Sequence, residues 1–320
     1  MKASKTLVLL TLAALAQESL AHAQMKDEQQ FQVGSLELSL GAGLLNGQAQ
    51  EKVYDTDEGG KKISQLNWDL KQVPTLHLGL AYHPTDLLTL EARGWTKIAK
   101  GDGHMKDYDW LSDDHAEWSH FSDHPDTRVQ KAWQAEFAAT LWAIKRDDLA
   151  LGVLLGYQRN EFGWQARGGS LTYSSDEGFR DISAEIPDGV KGITYEQSYE
   201  TPYVGLVGLY TYRDWTLEGR FKHSQWVKAR DYDQHHLRDI TFTGNNGNKG
   251  RMQSLALGLS YRFNPQFSLK AGVDYQVYAE AKGSVLQKDL ASGERDYYGG
   301  ESGSQASRTV LSSLALNYRF

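Results

Sequence analysis

The last strand of the chain narrows the choice of fold most. Residues 312–320 read Ser-Ser-Leu-Ala-Leu-Asn-Tyr-Arg-Phe. In an extended chain successive side chains point to opposite faces. Ser312, Leu314, Leu316, Tyr318 and Phe320 therefore share one side, and Ser313, Ala315, Asn317 and Arg319 the other. One side suits lipid and the other a polar lumen, with an aromatic at the interface, which is the pattern of a transmembrane β-barrel strand. A closed barrel dictates which hairpins lie together at each mouth, so the count of strands bears directly on function.

The N-terminus reads as a secretory signal peptide. Lys2 and Lys5 precede an apolar run over 6–16, and Ala21-His22-Ala23 offers a small-x-small cleavage site. This divides the chain into a leader, 1–23, and a mature barrel domain, 24–320. The run is too short to span a membrane as a helix, and no later stretch approaches ~18 consecutive apolar residues, which excludes a helical membrane protein. The 31 glycines, 17 tyrosines and nine tryptophans fit a barrel with aromatic girdles. With no cysteine in the sequence, disulfides and thiol catalysis are excluded. The formal net charge of −7 argues against nucleic acid as a partner. A soluble secreted β-protein that buries its apolar strand faces in a core is the alternative that composition leaves open.

Alternation recurs along the chain. Leu76, Leu78, Leu80 and Tyr82 share a face, as do Leu149, Leu151, Val153, Leu155 and Tyr157, and the set Phe267, Leu269, Ala271, Val273, Tyr275 and Val277 is the longest. Glu218, Arg220, Lys270, Asp274 and Gln276 fall on opposite faces. Four short turn signals separate the strands: His83-Pro84-Thr85-Asp86, Lys145-Arg146-Asp147-Asp148, Arg213-Asp214 and Asn264-Pro265-Gln266. Each interval between them holds two strands and a long loop. The expected fold is an all-β, ten-stranded antiparallel transmembrane barrel with five long extracellular loops near 46–62, 100–125, 165–195, 228–250 and 282–306. Ten strands enclose a narrow lumen, which the inward charges, with Glu91, Arg93 and Glu136, fill by pairing. Function then belongs at the outer rim rather than in a pore.

Two loops carry candidate chemistry. Asp107 and Asp109 in the second, and Asp233 and His235 in the fourth, are each two apart and point the same way in an extended segment. Either pair alone also reads as a solvated turn, a calcium ligand pair or a satisfied histidine. The strand count, however, sets both loops at one narrow mouth. A histidine held by a carboxylate is a good general base near neutral pH. Two close aspartates tend to retain one proton, which can polarise a carbonyl or hold a water. Water between the pairs would attack an amide without a serine or cysteine nucleophile. Glu51 in the first loop and Asp231 in the fourth would form an anionic pocket for an arginine or lysine side chain. The competing reading of Glu51 is a surface acid paired with Lys52 or Lys61.

The chain resembles the omptins, outer-membrane endoproteases of Gram-negative bacteria. The resemblance spans the mature chain and rests on residues 57–66, beginning Asp57-Glu58-Gly59-Gly60, on Met105 through Trp110, on His124-Pro125-Asp126-Thr127, on the run 166–181, on Pro202-Tyr203-Val204-Gly205-Leu206 and on Trp226-Val227. It implies a barrel whose catalytic pairs are Asp107 with Asp109 and Asp233 with His235. It implies substrate-binding acids at Glu51 and Asp231, cleavage after basic residues and often between two of them, and a cleft lined by Met105. It further implies no metal or organic cofactor, lipopolysaccharide as a lipid activator, a monomer, and an active site facing the cell exterior. The matching lipid contacts are Tyr157, Arg159, Glu161 and Lys249. Here the chain departs from the family: Arg159 and Glu161 stand in reversed order, Ser198 replaces an arginine, and His120 replaces an acid of the second loop. The rival readings are a non-enzymatic adhesin or receptor on the same barrel, a calcium-dependent enzyme acting on lipid, and a passive pore.

Overall fold

The computed structural model describes residues 33–320; the expected signal peptide, 1–23, and residues 24–32 lie outside the described residues. The strands in chain order are β1 (Leu36–Asp55), β2 (Lys61–Thr85), β3 (Leu88–Lys97), β4 (Gly101–Asp109), β5 (His120–Lys145), β6 (Leu149–Tyr173), β7 (Ile182–Tyr212), β8 (Trp215–His235), β9 (Ile240–Asn245), β10 (Gly250–Arg262), β11 (Phe267–Asp289) and β12 (Arg295–Arg319). All neighbours pair antiparallel, and β1 closes the ring on β12 from Glu37↔Arg319 to Val53↔Gly303. β3 and β4 both lie between β2 and β5, so they are one wall strand broken at 98–100. β9 and β10 are likewise one wall strand between β8 and β11, broken at 246–249. The wall therefore has the expected ten strands.

The four short turns fall at 86–87, 146–148, 213–214 and 263–266, all at one mouth. Hairpin ends at 56–60, 110–119, 174–181, 236–239 and 290–294 crown the other. The long-loop expectation needs correction: most of 46–62, 165–195 and 282–306 is ladder, and the true hairpin ends are short. Above the lipid belt both faces of a strand meet water or a polar cleft. The hydrophobic alternation that marks a strand fades there, although the backbone pairing continues.

The predicted lipid faces do point outward. Leu78 is 59% exposed and Phe137 65%, and leucines at 40, 155, 206, 257 and 316 continue the band around the wall. So much contiguous apolar surface requires lipid around it. At the short-turn mouth Trp215, Tyr261 and Phe263, and then Phe267, Tyr318 and Phe320, form a chain of ring contacts at 4.7–5.3 Å, an interfacial girdle of the kind that anchors barrels.

Inside the belt the lumen is filled by ion pairs, as the inward charges predict. Arg220 donates to both oxygens of Glu91 at 2.7 and 2.8 Å and also bonds Glu218. Lys270 reaches Glu218 at 2.7 Å. Glu136 accepts from Arg93 at 2.7 Å, from buried Lys222 at 3.1 Å and from the Tyr203 hydroxyl. Above this layer Gln158 bonds Gln276 and Tyr278, both at 2.8 Å. Tyr278 stacks on Tyr199, and Trp68 and Trp164 pack on Tyr195. These side chains occupy the cylinder beneath the crowned mouth.

Glu136 is the hub of the lower network, and removing one partner of a buried pair leaves the others uncompensated. Glu136→Ala is expected to destabilise the barrel by about 3–5 kcal/mol. Replacing Glu136 and Lys222 together with Leu and Met should recover part of that loss. Urea midpoints of the refolded proteins check both.

Candidate active site

The crowned mouth collects every candidate catalytic and pocket residue. Asp107, near the end of β4, lies opposite Leu66 of β2 and Ser122 of β5, and Leu66 lies opposite Glu51 of β1. Glu51 and Asp107 thus occupy one rung of the ladder. Across the mouth, Asp231, Asp233 and His235 end β8, where Asp233 lies opposite Tyr195 of β7 and Phe242 of β9. Asp231 stands ten residues beyond the lipid-facing Phe221 of the same strand, roughly 33 Å along it, so the site is well clear of the belt.

His235 Nε2 donates to Asp233 Oδ2 at 2.7 Å, and its ring stands edge-on to Phe242. Asp233 is 2% exposed, and its Oδ1 has no protein partner. The imidazole is held in one orientation, which leaves Nδ1 as the acceptor nitrogen of the ring. The guanidinium of Arg238, on the adjoining hairpin end, bonds that nitrogen. Ser64 donates to Asp107 at 3.4 Å. Met105, the expected cleft residue, is wholly buried two positions before Asp107 and opposite Trp68 and His124. His120, where the resemblance predicts an acid, lies opposite Asp109 with its ring against Tyr173.

Electrostatics shows that the two sides share one space. Burial holds the Asp107 carboxyl well above the usual range, and Asp109 and then Asp233 from the opposite wall raise it further, against a lowering by Arg238. Asp109 is raised by burial and lowered by Ser64, His120, Arg238 and His235. Burial also raises Glu51 strongly, followed by the charges of Asp233, Asp231 and Asp107. Asp231 is pushed up to about 7, first by burial and also by Asp233. Like charges buried side by side favour protonated forms.

Glu51 is not the surface acid of the competing reading. It is buried with Oε2 unpartnered, while Lys52 pairs with Glu280 at 3.3 Å and Lys61 with Glu58 at 3.2 Å. Asp231 Oδ2 accepts from the Tyr195 hydroxyl at 3.3 Å, and Oδ1 accepts from Asn246 at 3.4 Å. Gly244 faces Asp231 across the ladder, where a Cβ would lie 1.7 Å from Oδ1, so the carboxylate fits only over a glycine. Arg238, Tyr195 and Asn246 had no motif to reveal them; they reach the site only through the fold.

The expected lipid contacts are partly assembled. Tyr157, Arg159 and Glu161 line the outer face of β6 above the belt. Arg159 pairs with Glu161 at 2.7 Å, and Trp133 and Lys131 join that carboxylate at 3.1 and 3.6 Å. Lys249 sits apart, exposed in the break between β9 and β10 and three wall strands away. Among the described residues no three His, Asp or Glu side chains are grouped as metal ligands.

The raised carboxyl of Asp231 ties stability to pH. A group whose folded pKa lies above its unfolded value contributes stability at low pH and loses it as pH rises through the folded value, here about 7. Asp231→Asn removes that titration. Its gain in melting temperature over the parent should therefore be larger at about pH 8 than at about pH 5. Thermal unfolding in detergent micelles checks this.

With this geometry in place, comparisons with known proteins are specific. The omptin family model matches residues 32–320. The plasminogen activator of Yersinia pestis is 35% identical over 286 residues, covering 89% of this chain and 90% of the relative. The outer membrane protease OmpP of Escherichia coli is 31% identical over 287 residues, covering 89% and 90%. The crystal structure of the outer membrane protease OmpT from Escherichia coli superposes with a TM-score of 0.87 at 29% identity, covering 92% of this chain and 99% of that one. This chain, an all-β outer-membrane barrel, belongs to the omptin family.

Proposed function

We propose that this protein is an outer-membrane endopeptidase that cleaves after basic residues, preferentially at dibasic sites. One observation carries the reading: a histidine bonded to a buried aspartate faces a second, half-buried pair of aspartates, whose carboxyls are held above their usual range, across a single mouth. Water bound between them loses a proton to His235 Nδ1 once Arg238 moves aside. The resulting hydroxide attacks the scissile carbonyl carbon. The proton retained by the Asp107–Asp109 pair hydrogen-bonds the carbonyl oxygen as negative charge develops there. Collapse of the adduct breaks the C–N bond, and the imidazolium returns its proton to the leaving amine. Asp233 orients the ring and stabilises the imidazolium. Glu51 and Asp231 hold the basic side chain before the cut, and Met105 lines the cleft.

Short turns on one side and long hairpins on the other are the usual arrangement of outer-membrane barrels, with the hairpins outside; the cleft then opens to the cell exterior. The protein works as a monomer without metal or organic cofactor. Lipopolysaccharide seats against Tyr157, Arg159 and Glu161, with Lys249 contributing separately. The reversed Arg159–Glu161 pair makes that contact weaker than the family pattern provides.

His235→Ala should lower kcat on a dibasic peptide by about 10²–10⁴-fold while the barrel remains folded; retained full activity would refute the assignment. Arg238→Ala removes the positive charge that holds Asp107 and Asp109 down. Both carboxyls then keep their protons to higher pH. The alkaline limb of the kcat/KM profile should move upward, and a downward or absent shift would contradict the division of roles.

A further inference from the structure

We infer that the free edge of β12 at 295–299 binds the extended backbone of a protein substrate, taking the segment that precedes the cut as an added strand. This rests on the proposal that the mouth cleaves after a basic side chain held by Glu51 and Asp231.

The ring is not closed to its top. Pairing of β12 with β1 ends at Val53↔Gly303, and pairing of β7 with β8 ends at Ile193↔His235. Above those rungs the wall divides into two sheets, one running from β1 to β7 and the other made of β8, β9, β11 and β12. The second sheet carries the dyad: Asp233 lies opposite Phe242, Phe242 opposite Gln287, and Gln287 opposite Asp296. The long edges that the division exposes differ. That of β7, at 182–191, is interrupted by Pro187 and by Gly189 at φ +78°, features that keep an edge vacant. Residues 295–299 of β12, Arg-Asp-Tyr-Tyr-Gly, contain no proline and no left-handed residue, and Tyr297 is 70% exposed.

The phase of pairing with β11 leaves particular groups open. Asp289 N–H donates to Glu294 O at 3.0 Å, so Asp289, Gln287 and Val285 are the β11 residues whose backbone bonds point to β12. Their partners Asp296 and Tyr298 bond β11 in return. The N–H and C=O of Arg295 and Tyr297 therefore point away from β11, toward the side that β1 has left. Below them, between Gly283↔Gly303 and Val285↔Tyr298, residues 299–302 bulge, with Gly300 at φ +68° beside Thr56 of the β1–β2 hairpin end. The bulge carries β12 clear of β1.

The edge lies within reach of the pocket. Gln305 of β12 opposes both Glu51 and Ala281, and Tyr297 opposes Leu286, five residues further along β11. The open groups thus stand roughly 17 Å above the Glu51 rung, the span of about five extended residues. A chain with its basic side chain in the pocket meets them with residues about five positions earlier. Unpaired edge groups are a template for a further strand, and main-chain bonds of this kind hold a segment whatever its side chains.

The test uses peptides with one dibasic cut site and the same residues after it. The short one begins one residue before the basic side chain, and the long one carries about seven more. The parent should favour the long peptide in kcat/KM by about tenfold or more, the worth of one or two added backbone hydrogen bonds. Single N-methylations along the added segment should abolish that advantage at alternate positions and spare those between, because alternate N–H groups of an added strand face the edge. Tyr297→Pro removes the edge N–H at a place where a strand tolerates proline, and should bring the long-to-short ratio toward one. Tyr297→Ala keeps the N–H and should keep the ratio. Folding is verified by the heat-dependent gel shift of the intact barrel; if Tyr297→Pro fails to fold, the methylated peptides decide with the parent. Equal kcat/KM for both lengths, a methylation effect without alternation, or a loss in Tyr297→Ala as large as in Tyr297→Pro would overturn the inference. If neither peptide is cut after its basic residue, the underlying reading of the mouth fails and takes the inference with it.

Discussion

Closure of the hydrogen-bonded ladder is the constraint on which the rest depends. Inside a bilayer no water is available to backbone N–H and C=O groups, so a strand can cross only if every edge is paired. Here that requires β1 to meet β12 over its length, Glu37↔Arg319 through Val53↔Gly303. Once the ring is closed, the register of each neighbour is set by which residues face lipid. A slip of one position would turn Leu78 and Leu316 inward and the lumen charges out. The geometry of the mouth follows from pairings made far below it.

That rigidity explains how the mouth tolerates its chemistry. Several carboxyl groups crowd one mouth, and neighbours raise one another. Left to themselves they would separate or hydrate. They cannot, because Glu51, Asp107 and Asp231 are set on strands bonded on both sides. The aromatic and amide layers around Trp68, Tyr195, Tyr199 and Gln158 lie beneath them. The resulting unfavourable local field favours a retained proton on a carboxyl.

Legibility varied along the height of the barrel. Within the belt one face is uniformly apolar, so strand, face and turn could be read from Leu76 to Tyr82 or from Phe267 to Val277. Above it, residues 182–191 are exposed or half-buried on both faces and include Pro187-Asp188-Gly189, so the composition imitates a loop although the ladder continues. The catalytic candidates were legible because each pair lies two apart on one strand, where periodicity alone orients them. Arg238 lies past the hairpin end, Tyr195 is one aromatic among many, and Asn246 depends on a break in a strand. Nothing in their local pattern distinguishes them.

The order of residues therefore determined a lipid-facing, ten-stranded cylinder and the two short motifs that arm its rim, because both follow from the two-residue period of an extended chain. The tertiary structure alone decided that Glu51 shares a rung with Asp107, that Arg238 covers His235, and that Asn246 bonds Asp231. Those are contacts between strands or across a local break. They exist only after closure has set residues distant in the chain at hydrogen-bonding range, and periodicity within one strand carries no record of them.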